Sequence, residues 1–131
     1  MPRATGSGSI RGESGSAPAD FVLVGSLLTA FALAVVQLTL VLHVRNTLVD
    51  AAASAARYGS LADRGTEDAQ RRAGELVTMA LGSDYAADIT VGETRVEGVR
   101  VLEVRVRAPL PLVGLAGPPG VITVSGHAPL P

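Results

Sequence analysis

Few residues in this chain could do chemistry. There is no cysteine, so no disulfide, thiolate metal site or thiol nucleophile is available. The two histidines, His43 and His127, have neither an i+4 histidine nor a cysteine with which to build a metal site. The glycine-rich stretch GSGSIRG (residues 6–12) lacks the lysine of a phosphate loop and follows no strand. No catalytic, metal or cofactor site is expected, and the chain reads as a non-enzyme. One carboxylate is unusually placed. Asp20 directly precedes Phe21, the first of 24 consecutive residues (Phe21–Val44) without formal charge. The plain reading is a helix-start carboxylate, favoured by the positive end of the helix dipole. The sharper one is a charge that pairs with a cation at a low-dielectric boundary. An unpaired charge there is expensive, so pairing sets the axial register of packed helices.

The element that positions Asp20 is the apolar run FVLVGSLLTAFALAVVQLTLVL, residues 21–42. As a helix it spans about 33 Å, against about 30 Å for a bilayer core. Ser26, Thr29, Gln37 and Thr39 are its polar members, and Ser and Thr can bond to carbonyls of the preceding turn. The run is apolar all round, and the small remaining domain could hardly wrap it as a soluble core. It is also longer than the h-region of a secretory signal and lacks a clear small-residue cleavage site at its end. A retained membrane helix is therefore expected over residues 21–42. Ser26, Ala30 and Ala34 recur at spacing four, a stripe that permits close helix approach, although such residues are also ordinary in membrane helices. Arg3 and Arg11 before the run balance Arg45 and Arg57 after it, and the α-amino group tips the count towards a cytoplasmic N-terminus. A formal net charge of −1 and an aromatic content of 3% argue against nucleic-acid binding.

Counting back from Asp20, Gly15 lies five residues earlier: Gly15-Ser16-Ala17-Pro18-Ala19-Asp20-Phe21. A cut after Gly8 or Gly12 would not place an acid at the fifth position flush with the apolar run; a cut after Gly15 does. This arrangement resembles a type IV prepilin processing site. More narrowly, residues 12–60 resemble TadE, a pseudopilin-like component of the tight-adherence (Flp) pilus system. The resemblance rests on Gly15, the pair Asp20-Phe21, the apolar run, Asn46, and the segment AAASAARYG (residues 51–59) with its Arg57-Tyr58 pair. Two residues depart from the family pattern: Asp20 stands where Glu is usual, and Pro18 is less usual at the third mature position. The resemblance implies a leader of residues 1–15 removed by a prepilin peptidase, with cleavage between Gly15 and Ser16. It implies as partners sibling TadE/TadF-like subunits, the major pilin and the membrane platform with its ATPase.

The residues beyond the membrane divide into a helix-rich and a strand-rich part. Residues 1–19 are dominated by Gly, Ser, Ala and Pro, and no packed structure is expected there. From His43 the alanine-rich sequence predicts that the first helix continues outside the membrane to about residue 60, with Gly59 near its C-cap. Arg57 and Tyr58 could dock on the following domain or be a solvated charge and a half-buried ring, and the second reading is favoured. Leu61–Gly65 reads as a turn, with Thr66 capping a second helix that ends near Gly82. Ala69, Ala73, Leu76, Val77, Ala80 and Leu81 form its small apolar stripe. Strands are predicted from Ile89 to Val96, from Val99 to Ala108 and from Val121 to Ala128, with a turn at Glu97-Gly98. The opposite parity of Val99 and Val101 predicts a bulge or face switch. Arg100, Arg105 and Arg107 form a basic strip that Glu93, Glu97 and Glu103 could neutralise. The loop around Leu112, Val113 and Leu115 reads equally as a contact surface or as core closure.

The expected architecture is α+β and pilin-like: a long N-terminal transmembrane helix extending outside the membrane, a short second helix and an antiparallel sheet of about three strands. The expected organisation is a leader at 1–15, a membrane and extended helix at 16–60, and an extracytoplasmic domain at 61–131. The function expected is assembly or initiation of a Flp-type pilus or related filament. The alternative is an uncleaved single-pass anchor carrying an extracellular binding or adhesion domain.

Overall fold

The computed structural model describes residues 3–111 and 120–131, with side chains described from Ser16 onward. Helix α1 spans Arg3–Gly59, helix α2 Thr66–Leu81, and a short 3-10 turn Ser83–Ala86 follows. Strands β1 (Asp88–Val96), β2 (Val99–Pro109) and β3 (Val121–Pro129) form one antiparallel sheet in the order β1-β2-β3. The backbone divides into two units, Met1–Leu38 and Thr39–Pro131.

In the first unit α1 begins at Arg3, ahead of the apolar run. Composition predicts no packed structure in residues 1–19, yet helix runs from Arg3 through this stretch. Helix propagation adds one hydrogen bond per residue fixed once a nucleus exists, and the apolar run supplies that nucleus. The run's large side chains face outward: Phe21 is 80% exposed and Leu27 70%. Thr29 donates its hydroxyl to the Gly25 carbonyl at 2.8 Å, the back-bond expected of a threonine in an apolar helix.

The second unit is a two-layer domain. The end of α1 contributes Val44, Leu48, Ala51, Ala52, Ala55 and Ala56 to its core, and α2 contributes Ala69, Ala73 and Val77. Both meet the same face of the sheet, formed by Ile89, Leu102, Val104, Val106, Ala108, Ile122, Val124 and Ala128. The helix stripes are mostly alanine, so the layers approach closely. Gly126 marks the closest point: a Cβ there would fall on the backbone of Ala52 and Ala53. A Cβ at Gly59 would strike Ala69 and Leu102, so this glycine is both the end of α1 and a packing site.

The hairpin turn falls at Glu97-Gly98, both at positive φ (52° and 83°), the signature of a two-residue turn matched to strand twist. From there β1 and β2 pair without interruption, from Val96 opposite Val99 to Asp88 opposite Arg107. The expected bulge near Val101 is therefore absent. The strand keeps its period of two, and Val101 lies on the face away from the helices, buried between its cross-strand partners Thr94 and Pro129. The α2 start also differs by one residue from the sequence reading. Gly65 is the N-cap and Thr66 the first helical residue. Glycine has no side chain to cap with, and Asp68 reaches back instead to accept from the Gly65 N–H at 3.0 Å. The loop residues Leu112, Val113 and Leu115 lie outside the described residues.

Candidate functional site

The candidate site is the stretch of α1 around Gly15, Ser16, Asp20 and Phe21. Helix covers all four residues, so Ser16 and Asp20, one turn apart, share a helix face. Asp20 is exposed and takes part in no ion pair or side-chain hydrogen bond among the described residues. Phe21 beside it is likewise exposed. A carboxylate without a partner among the described residues is available to a cation brought by another chain. Ser26, Ala30 and Ala34 follow on one face of the same helix and are all exposed. The most apolar 18-residue window within Ser16–Gly59 has a mean hydropathy of 2.3 and none of it is buried.

Several of the domain's ionisable groups pair with one another on its surface. Arg100 meets Glu93 at 2.6 Å across the hairpin, and Arg107 lies 3.8 Å from Asp88. Glu103 takes two partners: Arg105 at 2.7 Å on one carboxylate oxygen and His127 Nε2 at 2.8 Å on the other. The basic strip is thus neutralised largely as expected, with Asp88 joining where Glu97 was expected. Arg57 is exposed and Tyr58 half-buried, as the sequence suggests. Arg64 and Arg72 pack over the Tyr58 ring, 4.9 and 5.7 Å from its centroid. That cluster joins α2 to the end of α1, so Tyr58 also docks on the following domain, the other reading its sequence offers. Among the described residues no group of three or more His, Cys, Asp or Glu could hold a metal ion.

Sequence reasoning missed two residues. Gly126 admits α1 to the sheet, and its signal was available, since a glycine inside a strand often marks a close backbone approach. Gln70 donates to the Ile89 carbonyl at 3.2 Å and ties α2 to β1, a contact with no sequence signature.

Fold and site together define a protein with one candidate membrane span: an exposed apolar helix long enough to cross a bilayer, flanked by an acid without a partner among the described residues, in a chain that also carries a small α+β domain. Residues 15–57 match the family described as TadE-like protein. That stretch, about a third of the chain, is what is similar to the TadE-like family. No curated protein and no solved structure matches the chain.

Proposed function

We propose that this chain is a pseudopilin-type subunit that works in assembly or initiation of a Flp/Tad-type pilus after cleavage between Gly15 and Ser16 by a prepilin peptidase. The observation that carries the reading is Asp20, without a partner among the described residues, at the edge of an exposed apolar helix, five residues past Gly15, within the segment similar to the TadE-like family. Cleavage frees the Ser16 α-amine. That cation and the Asp20 carboxylate of a neighbouring subunit neutralise each other at the membrane edge, where either alone would be costly. Ser16 and Asp20 are four residues apart, so such a pair offsets neighbouring helices by about 6 Å along their axes. The stripe of Ser26, Ala30 and Ala34 lets the helices approach closely. The N-terminus is cytoplasmic and the α+β domain extracytoplasmic. Its work is assembly rather than catalysis, with sibling TadE/TadF-like subunits, the major pilin and the platform proteins as partners.

Replacing Asp20 by Ala tests this in a strain that carries the pilus machinery. The expected result is normal membrane insertion with filament formation reduced at least tenfold, scored by electron microscopy. Normal filaments would instead favour the second reading, an uncleaved anchored binding domain, which the separate folded domain beyond the helix makes physically reasonable.

A further inference from the structure

Pro18 lies inside α1, with helix on both sides of it. A proline there has no N–H to give the carbonyl four residues back, that of Ser14, and its ring crowds the same carbonyl. It also disfavours the helical conformation of the preceding residue, Ala17. Gly15 adds to the effect, because glycine loses the most backbone freedom in a helix. The helix is therefore weakest over the turn from Ser14 to Pro18, and the Gly15–Ser16 peptide bond lies inside that turn. A bond engaged in a helix must be opened before a peptidase can act on it, and cleavage then tracks the population of the open form.

We propose that Pro18 is a positioning residue for processing: it opens the turn that holds the bond to be cut. This rests on the processing reading above. The reaction is hydrolysis by water, catalysed by the peptidase. The water's hydroxyl goes to the Gly15 carbonyl carbon and its proton to the Ser16 nitrogen. Residues 1–15 leave with a Gly15 carboxylate, and Ser16 keeps a new α-amine. In the product Pro18 is the third residue of the helix. First-turn N–H groups have no intrahelical acceptor, so the missing donor no longer matters. The same ring is a defect in the precursor and a compatible helix-start residue in the product.

The test follows processing of the full-length chain co-expressed with a prepilin peptidase, by intact mass over time. Wild type should yield a chain beginning at Ser16. Pro18→Ala, which restores the donor and favours helix, should be cut about tenfold more slowly or worse. Pro18→Gly lacks the ring but is a poorer helix former than alanine, and should be cut at a rate between those of wild type and Pro18→Ala. Pro18→Ala cut at the wild-type rate overturns the proposal. So does Pro18→Gly as slow as Pro18→Ala, since the peptidase would then be reading the ring itself. A wild-type chain never cut after Gly15 overturns the processing reading first, and this inference with it.

Discussion

Asp68 shows how one side chain can stand in for a missing cap. Its carboxylate accepts from the Gly65 N–H at 3.0 Å and from Arg71 at 2.8 Å. The backbone hydrogen bond first, and the Arg71 partner second, hold its carboxyl below the usual carboxylate range, while Arg71 is raised by the same pair. A depressed folded pKa gives stability that is present above the unfolded value and lost as the pH falls through the folded one. Asp68→Ala should therefore melt below wild type at neutral pH in thermal unfolding followed by circular dichroism. The gap should narrow as the pH drops below about 4; a gap independent of pH would show that the carboxylate charge is not the cause. Asp20 is the contrasting case. It has no partner among the described residues of its own chain, so replacing it should disturb assembly and leave the fold unchanged.

At the scale of elements, the two helices reach the sheet through small residues. Alanine stripes on α1 and α2 lie flat against the valine, leucine and isoleucine face of β1, β2 and β3. Gly126 leaves no room for a Cβ, because the backbone of α1 occupies that space. Gly126→Val should destabilise the domain by about 1–3 kcal/mol or more, the range for overpacking a tight interior. Denaturant unfolding of the detergent-solubilised chain would measure it, and an unchanged midpoint would mean that α1 lifts off β3 without penalty. The two outer strands also differ. The Ile89 carbonyl of β1 accepts from Gln70, and β1 carries Asp88, Glu93 and Arg95, whereas β3 has no formally charged residue. Charged side chains on an outer strand discourage pairing with another chain.

For the whole molecule, the decisive property is the asymmetry between a chain segment without charge and a domain that carries many charges, several of them in surface pairs. Ala32 sits at the middle of the apolar run, and Ala32→Arg should oppose insertion by about 2.5–3.5 kcal/mol. Alkaline extraction of membranes should then move a large fraction of the chain from the pellet to the supernatant. No change would mean that the run does not cross the bilayer. Removing residues 1–15 would take away Arg3, Arg11 and Glu13 and shift the formal net charge from −1 to −2.

Properties written along the chain were legible in the sequence. The length of the uncharged run, the five-residue count from Gly15 to Asp20, the helical spacing of Ala69, Ala73 and Val77, and the alternation of Leu102, Val104 and Val106 are all local. Each depends on residues a few positions apart, so the helix, the strands and the candidate membrane span follow without knowledge of their neighbours. The tertiary structure decided what depends on residues far apart. It chose which face of the sheet the helices cover, left Val101 on the other face without a bulge, brought Ala52 and Ala53 onto Gly126, and set His127 opposite Glu103. Register and layer packing couple many distant positions at once, and a pattern read in one dimension does not contain that choice.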